Sequence, residues 1–594
     1  MGSCAWVWAA WPAGDGELRL GLGGLACGRW GVALGCGRPG LREMGSCAWV
    51  WAAWPAGVGG CAWVWAAWPA GDGELRLGLG VGVDGPACGI FPFIFLAPLS
   101  KRISKSLCYP NRRTDVFLVI PPKSSIKSMT KSKIAVVEAE SEKFPFVYRF
   151  PLKFGGRVVK DVTVFRAMIT LEDQAKKKSA HGIGEMTMGT AWAWPTSALS
   201  PEMALKTITV LAERITAAAT TLVADQHPLH LASQLKPIAK KLAEELATAM
   251  KLSEPIPDLA IALALSPLDI ALHDAYGRLH GKNSFDCFGP EFVGTDLSHW
   301  LGEEFIGKPF SDILSDKPSP TLHLYHLVGS LDPLSNDDLN RKIGDGLPET
   351  LEEWIRSQQL SHLKVKLTGK DLDADVGRVY EIDRIAARTF PTKQFSYSLD
   401  FNEACESEDY VIDFLERLER LSRDATTKLH YIEQPMTRDL RSRKEVTMHR
   451  VSRLKPVVID ESLTDLDMLR FAKQQGYSGI AVKACKGISD SVLLSAAAKQ
   501  WGMKIYVQDL TCVGGSFMAS AALASRLRGV TAVEGNGRQY CPAGNKDWES
   551  LYRPMFRILG GVVPTELLQG PGLGFAWPRN IISKKYSEFC QPPA

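Results

Sequence analysis

Two lysines lie one residue apart in the apolar run HLKVKLTG (362–369). In a strand, Lys364 and Lys366 point to one face and Leu363, Val365 and Leu367 to the other. Taken alone, that pattern fits a solvated edge strand, where lysine blocks edge-to-edge pairing. Three later β-rich runs end in carboxylates: FSYSLD at Asp400, LHYIE at Glu433 and PVVID at Asp460. The next run, GIAVK, ends at Lys483. A single Asp at a strand–helix junction is most simply the cap of the following helix. Three consecutive carboxylates in one low-dielectric mouth would repel one another, and a divalent cation resolves the conflict. Hard oxygen ligands, one per strand, suit Mg²⁺ or Mn²⁺. Lys366 precedes the triad and Lys483 follows it, so the two would face each other across such a metal. A lysine near cations and away from water has its pKa lowered and can act as a general base at neutral pH. Two such bases let a proton leave one face of a substrate and return to the other.

The elements that must position these residues follow a rhythm. LHLYHLVG (322–329), LKVKL (363–367), FSYSLD (395–400), LHYIE (429–433), PVVID (456–460), GIAVK (479–483), KIYVQD (504–509) and GVTAVEG (529–535) alternate with amphipathic stretches such as DYVIDFLERLER. Each repeat is long enough for one strand, one helix and two loops. Eight such units predict a (β/α)8 barrel over 318–570, with chemistry at the C-terminal strand ends. No GxGxxG or GxxxxGKS follows the first strand, which argues against a dinucleotide-binding fold. Upstream, 134–290 reads as an α+β domain. Strands flank a Gly-Gly turn in KFPFVYRFPLKFGGRVVKDVTVFRAMITLEDQ, and helices are predicted near 201–224, 229–251 and 257–280. A linker follows at about 285–320. Residues 571–594 are expected to return to the α+β domain.

In order along the chain, KVK, SLDFNEA, YIEQPM, VVIDESL and GIAVKACKG resemble the enolase superfamily, specifically its muconate lactonizing enzyme subgroup. The likeness also takes in PLKFGG, GIGE and GPGLGF. It implies a modified (β/α)8 TIM barrel with an N-terminal α+β capping domain and an essential Mg²⁺ on Asp400, Glu433 and Asp460. It makes Lys366 and Lys483 the acid/base pair and puts Lys364 beside the substrate carboxylate or enolate. Asn402 and Glu461 would support these from behind, with Asp509, Glu534 and Asn536 near the substrate. The implied reaction is racemisation or epimerisation, by abstraction of the proton α to a carboxylate and stabilisation of the enediolate on the metal. A cycloisomerase or syn-dehydratase, of muconate lactonizing or o-succinylbenzoate synthase type, uses the same scaffold. A metal-free Schiff-base aldolase is the more distant alternative.

The sequence departs from family patterns in two places. No His–Asp dyad stands at the sixth and seventh strands, which argues against a mandelate-racemase-like member. The eighth strand offers Glu534-Gly535-Asn536 where dipeptide epimerases carry an Asp-x-Asp for the substrate ammonium. Asp509, in QDLTCVGG, reads either as a substrate contact or, slightly preferred, as the cap of the next helix. His181 reads as a surface residue, Asp269 and His273 as a pair one helical turn apart, and Cys405 and Cys485 as small buried filler.

The 594 residues carry a net charge of +4, with 45% hydrophobic and 23% charged residues. That is the composition of a soluble globular protein, and it gives no argument for nucleic acid. The 13 cysteines include no CxxC pair or zinc-type spacing, as in a protein whose thiols stay reduced. No apolar run approaches membrane-spanning length. The expected partners are a small-molecule carboxylate substrate and, as the family is often oligomeric, further copies of the chain. Neither nucleic acid nor a membrane is expected, and the expected location is the cytoplasm. Residues 1–128 stand apart. MGSCAWVWAAWPAG opens the chain and recurs at 44, and CAWVWAAWPAGDGELRLGLG recurs at 61. Gly and Pro interrupt every helix there and the period is irregular, so no solenoid unit is supplied. This segment reads as low-complexity sequence outside any domain, disordered or from an incorrectly chosen start. Residues 101–134 have nine Lys/Arg and one Asp, a composition suited to organelle targeting, and Met129 is an alternative start.

Overall fold

The computed structural model describes residues 133–154, 157–339 and 341–580, together with the backbone of five strands between 6 and 83. Residues 1–126 and 127–594 form two units. In the first, each copy of the tryptophan repeat carries a strand. Trp6–Ala10 pairs antiparallel with Arg19–Gly23, and Gly60–Ala67 lies between Trp49–Ala53 and Arg76–Val83. The sequence reading assigned no element there. Trp and Val favour a pleated backbone even where Gly and Pro exclude a helix. GIFPFIFLAPLS, Met129 and residues 581–594 lie outside the described residues.

The second unit opens with Lys133–Phe154 and Arg157–Asp173, antiparallel from Ile134↔Asp173 to Phe154↔Arg157. That last pair leaves two residues for the connection, the length of a tight hairpin turn; those two glycines are outside the described residues. Lys178–Thr187 pairs with the second strand and Val223–Asp225 with the first. Three helices accompany the sheet: Pro201–Ala218, Pro228–Ala249 and Asp258–His280. The first begins where predicted, with Ser200 Oγ accepting from Met203 N at 3.2 Å. It stops at Ala218 instead of near 224, because Val223–Asp225 is drawn onto the sheet edge.

Asp258–His280 lies directly on the strand that contains GIGE. A Cβ on Gly182 would sit 2.2 Å from the Ala271 carbonyl oxygen, and one on Gly184 would sit 2.0 Å from that of Pro267. Glycine at these two positions is what lets helix and strand approach so closely. By length and composition this helix is apolar enough to cross a membrane, contrary to the expectation from run lengths, yet it is mostly buried inside the fold. Asp269, His273 and Asp274 are buried along it, so the pair predicted at 269 and 273 belongs to the interior.

Eight parallel strands then close a ring: Leu322–Val328, His362–Lys366, Ser396–Asp400, Leu429–Glu433, Val457–Ile459, Gly479–Val482, Lys504–Val507 and Ala532–Glu534. These are the first to eighth strands below, and the eighth pairs with the first. Each predicted run overlaps one of them; the second strand, His362–Lys366, starts and ends one residue earlier than its run. The second strand pairs with both the first and the third, so it is not an edge. Its lysines and its aliphatic residues are both buried, on opposite faces of the barrel wall. A layer of Tyr325, Tyr431, Val458, Ala481, Tyr506 and Ala532 fills the lower interior. Near the end of the described chain, Leu573 N donates to Asp274 Oδ1 at 3.0 Å and Arg278 Nη2 donates to Phe575 O at 2.9 Å.

Candidate active site

The strand register brings the predicted residues to one level. Lys366 pairs with Asp400 across the second and third strands, and Asp400 with Glu433 across the third and fourth. Lys364 Nζ lies 3.2 Å from Asp400 Oδ2, 2.8 Å from Glu433 Oε1 and 3.2 Å from Glu534 Oε2. Lys366 Nζ donates to Asp400 Oδ2 and, at 2.8 Å, to Asn402 Oδ1. Lys483 Nζ donates to Asp460 Oδ2 at 2.7 Å. Lys364, Lys366, Lys483, Asp400, Glu433 and Asp460 are all at most 3% exposed. Lys366 and Lys483 stand on the second and sixth strands, four places apart in a ring of eight, and so on opposite sides of the barrel.

The electrostatics correct one expectation. Burial alone would lower Lys483, but Asp460, helped by Glu433, outweighs it and holds the ammonium above its ordinary pKa. Lys364 is likewise raised: burial is outweighed by Glu433, Glu534 and Asp400. Neighbouring cations and removal from water were the terms considered from sequence, and carboxylates in direct contact outweigh them. Asp400 shows the reciprocal effect. Burial pushes it up, and Lys366 and Lys364 overcome this and hold it below the usual carboxylate range. Glu433 is pushed up to about 8 by burial and Asp400, with Lys364 opposing.

Glu534 and Asn536 meet inside the site, Asn536 Nδ2 donating to Glu534 Oε1 at 2.5 Å. Asp509 does not cap the next helix, whose N-terminal boundary is Val513. Its carboxylate instead accepts from Thr511 N at 2.9 Å and Asn536 N at 3.0 Å, tying the seventh-strand turn to the eighth strand. Burial and Glu534 push it up to about 7. Asn402 adopts φ +50°, a left-handed conformation that Asn tolerates, and donates its backbone N–H to Asp400 Oδ1 at 2.9 Å. Glu461 is buried, with Oε2 lacking a hydrogen-bond partner, and burial followed by Asp460 raises it well above the carboxylate range. Cys405 and Cys485 are buried free thiols. His181 is half-buried and bonded to Thr170 Oγ1 at 2.8 Å.

Four participants were missed from sequence. Lys486 Nζ donates to the Asp460 carbonyl at 2.7 Å and lies 3.2 Å from its Oδ1. Trp192, from the capping domain, places its ring 5.0 Å from Lys483 Nζ and donates Nε1–H to Asp460 Oδ2 at 3.3 Å. Arg438 donates to the Trp192 carbonyl at 2.8 Å and pairs with Glu403 at 2.5 Å, joining cap to barrel mouth. Gln508 Nε2 donates to Glu433 Oε2 and, at 3.1 Å, to Tyr431 Oη. Lys486 was visible as the second lysine of KACKG and Trp192 within TAWAWP, but only the fold shows what each touches.

Among the described residues, no three His, Cys, Asp or Glu side chains stand as a ready-made metal cage. The reason is local: Asp400 and Glu433 turn to the lysines of the second strand, and Asp460 to Lys483 and Lys486. By chemistry the donor set still fits a divalent cation. The carboxylates are hard oxygen donors on three adjacent strands, and next along the chain from Asp460 the buried Glu461 Oε2 has no hydrogen-bond partner.

Residues 346–581 match the family model described as enolase C-terminal domain-like. The matched residues run from before the second strand through the eighth, so the likeness takes in most of the barrel. Among solved structures it is similar to the L-Ala-D/L-Glu epimerase from Bacillus subtilis, at 17% identity and TM-score 0.46, covering 67% of this chain and 89% of that one. The muconate lactonizing enzyme from Pseudomonas fluorescens has 18% identity and TM-score 0.46, with 74% and 96% covered. A dipeptide epimerase from Enterococcus faecalis V583, complexed with Mg and L-Leu-L-Tyr, has 15% identity and TM-score 0.47, with 74% and 99% covered. No curated protein matches the chain.

Proposed function

We propose that this enzyme is a Mg²⁺-dependent racemase or epimerase that moves the proton α to a substrate carboxylate. The observation that carries the reading is the opposition of Lys366 and Lys483 across the barrel, with the carboxylate row between them. Asp400, Glu433 and Asp460 would hold the cation, which supplies positive charge to the substrate carboxylate and makes its α-proton more acidic. With those carboxylates so engaged, Lys483 loses the partner that holds its ammonium above the ordinary pKa and Lys366 loses its contact with Asp400, and one of the two can accept the α-proton. The other, still protonated, returns a proton to the opposite face. Lys364 stays beside Glu534 and faces the developing negative charge. The Trp192 ring covers Lys483 and keeps water from it.

The same position of Trp192 favours a second reading. Lys483, held on Asp460 beneath an indole, would serve as an electrostatic support while Lys366 alone moves protons, as a cycloisomerase or syn-dehydratase requires. Deuterium exchange at the α-carbon, followed by NMR in D2O over a library of carboxylic acids, separates the two. Racemisation predicts exchange from both stereoisomers, with each isomer's exchange lost in one lysine variant, Lys366→Ala or Lys483→Ala, by ~10²–10⁴-fold. Loss of water or a displaced double bond selects the second reading. Borohydride trapping of a lysine, with activity resistant to EDTA, would overturn both.

A further inference from the structure

Arg438 stands in the turn after the fourth strand, where the capping domain meets the barrel mouth. Its Nη1 donates to the Trp192 carbonyl at 2.8 Å. Its backbone N–H and its Nε each donate to Glu403 Oε2 at 2.8 Å, and its Nη2 donates to Glu403 Oε1 at 2.5 Å. A planar guanidinium makes both contacts at once in a fixed geometry, which a lysine ammonium does not reproduce.

Each contact leads to one of the two opposed lysines. On one side, the buried Trp192 ring lies 5.0 Å from Lys483 Nζ. On the other, Asn402 and Glu403 take consecutive left-handed steps, with φ +50° and +65°. Residues other than glycine hold such conformations only where their surroundings impose them. Here the Glu403 carboxylate is gripped by Arg438, and the Glu403 N–H donates to the Gln434 carbonyl at 3.0 Å. The turn so held presents Asn402 Oδ1 to Lys366 Nζ at 2.8 Å. That contact persists when a cation engages Asp400, so it is what aims Lys366 in the loaded site.

We propose that Arg438 is a positioning residue for both lysines: through Trp192 it seats the cover on Lys483, and through Glu403 and Asn402 it aims Lys366. The inference rests on the reading of these lysines as the acid/base pair. One side chain then assembles both ends of the proton path, and does so only while the capping segment is seated.

The test labels lysines on the full chain in excess Mg²⁺ with N-hydroxysuccinimidyl acetate, read site by site by peptide mass spectrometry. Arg438→Gln is expected to speed labelling of Lys366 and Lys483 ~10-fold or more. Lys364 should be unchanged, since Glu534 holds it from outside this network. Trp192→Ala keeps the carbonyl that Arg438 binds, and is expected to expose Lys483 alone. Glu403→Gln loosens the grip while keeping the shape of the side chain. It is expected to speed labelling of both lysines several-fold, and decides the matter if Arg438→Gln folds poorly. An equal rise at Lys364 would reduce Arg438 to a general support, and no rise at Lys366 would break the link through Asn402; either overturns the proposal. Labelling needs no substrate, so it decides the role of Arg438 even where a lack of α-proton exchange overturns the reading of the reaction. Where exchange is found, Arg438→Gln is expected to lower kcat ~10²-fold for both stereoisomers with KM little changed, and a loss confined to KM would overturn the proposal.

Discussion

The two ends of the barrel use opposite charge logic on the same eight strands. At the C-terminal end, four buried lysines are in contact with carboxylates or lie one residue from them, and every ammonium has an acidic partner. At the N-terminal end, tyrosines fill the interior, and the exposed Lys499 and Arg528 near them donate to backbone carbonyls. The first arrangement is costly to form and costly to disturb, because each charge is deprived of water and depends on its partner. The second keeps its charges near solvent and leaves their field available. A parallel barrel makes this division natural. Its side-chain layers separate one end from the other, so each end can be specialised without altering the strands.

The sharpest test of this contrast is to remove one charge at each end. Asp460→Ala leaves Lys483 and Lys486 buried without their main counter-ion and is expected to destabilise the fold by ~3–5 kcal/mol and to abolish α-proton exchange. Lys504→Gln should change stability by no more than ~0.5 kcal/mol. Urea unfolding measures both, and equal losses would erase the distinction. The next effect is on pH. Glu433 and Asp509 have folded pKa values raised to about 8 and about 7. Their contribution is therefore present below the unfolded values near ~4 and is lost as pH rises through 7 to 8. Asp400 and Asp460, held low after burial by Lys366 and Lys483, contribute above their unfolded values and lose that contribution in acid. In EDTA, Tm should accordingly fall between about pH 5 and 8. Added Mg²⁺ should restore it most at the high end, where protons no longer compete for Glu433. A Mg²⁺ effect independent of pH would sink this account. Smaller still, Trp192→Phe keeps the aromatic packing but removes the Nε1–H donated to Asp460, with an expected loss of ~1 kcal/mol by the same unfolding assay. The smallest effect is at the base. Tyr506→Phe deletes a hydroxyl that has no partner and should be neutral or stabilising by up to ~1 kcal/mol. Clear destabilisation would mean that the hydroxyl is satisfied in solution.

The barrel was legible because β-branched and aromatic runs recur at the length of a βα unit. A residue ending such a run also sits, by the rules of parallel barrels, in the mouth. That is why Lys366, Asp400, Glu433, Asp460 and Lys483 could be gathered without a structure. Contacts made by turns were not legible. Asp509 looked like a helix cap because it precedes a Gly-rich helix start, yet the chain takes a left-handed step at Thr511 (φ +53°) and the helix begins beyond it. Trp192 reaches Asp460 across 268 residues, and no local pattern encodes that approach. The sign of the lysine shifts was missed for a related reason. It depends on which carboxylates come within hydrogen-bond distance, not on how many cations share the region. The helix ending at Ala218 was overextended because the pull of a sheet edge on Val223–Asp225 is a tertiary effect.

The helix Asp258–His280 has a consequence for the order of events during synthesis. Its buried Asp274 accepts hydrogen bonds from Ile183 N and from Leu573 N, the latter 299 residues further along the chain. At ~5–20 residues per second, a ribosome needs on the order of 15–60 s to make that second partner. Throughout this interval an apolar segment long enough to pass for a membrane span waits with part of its surface uncovered. Holding that segment until its C-terminal cover has been made is then a requirement of folding separate from the stability of the finished barrel.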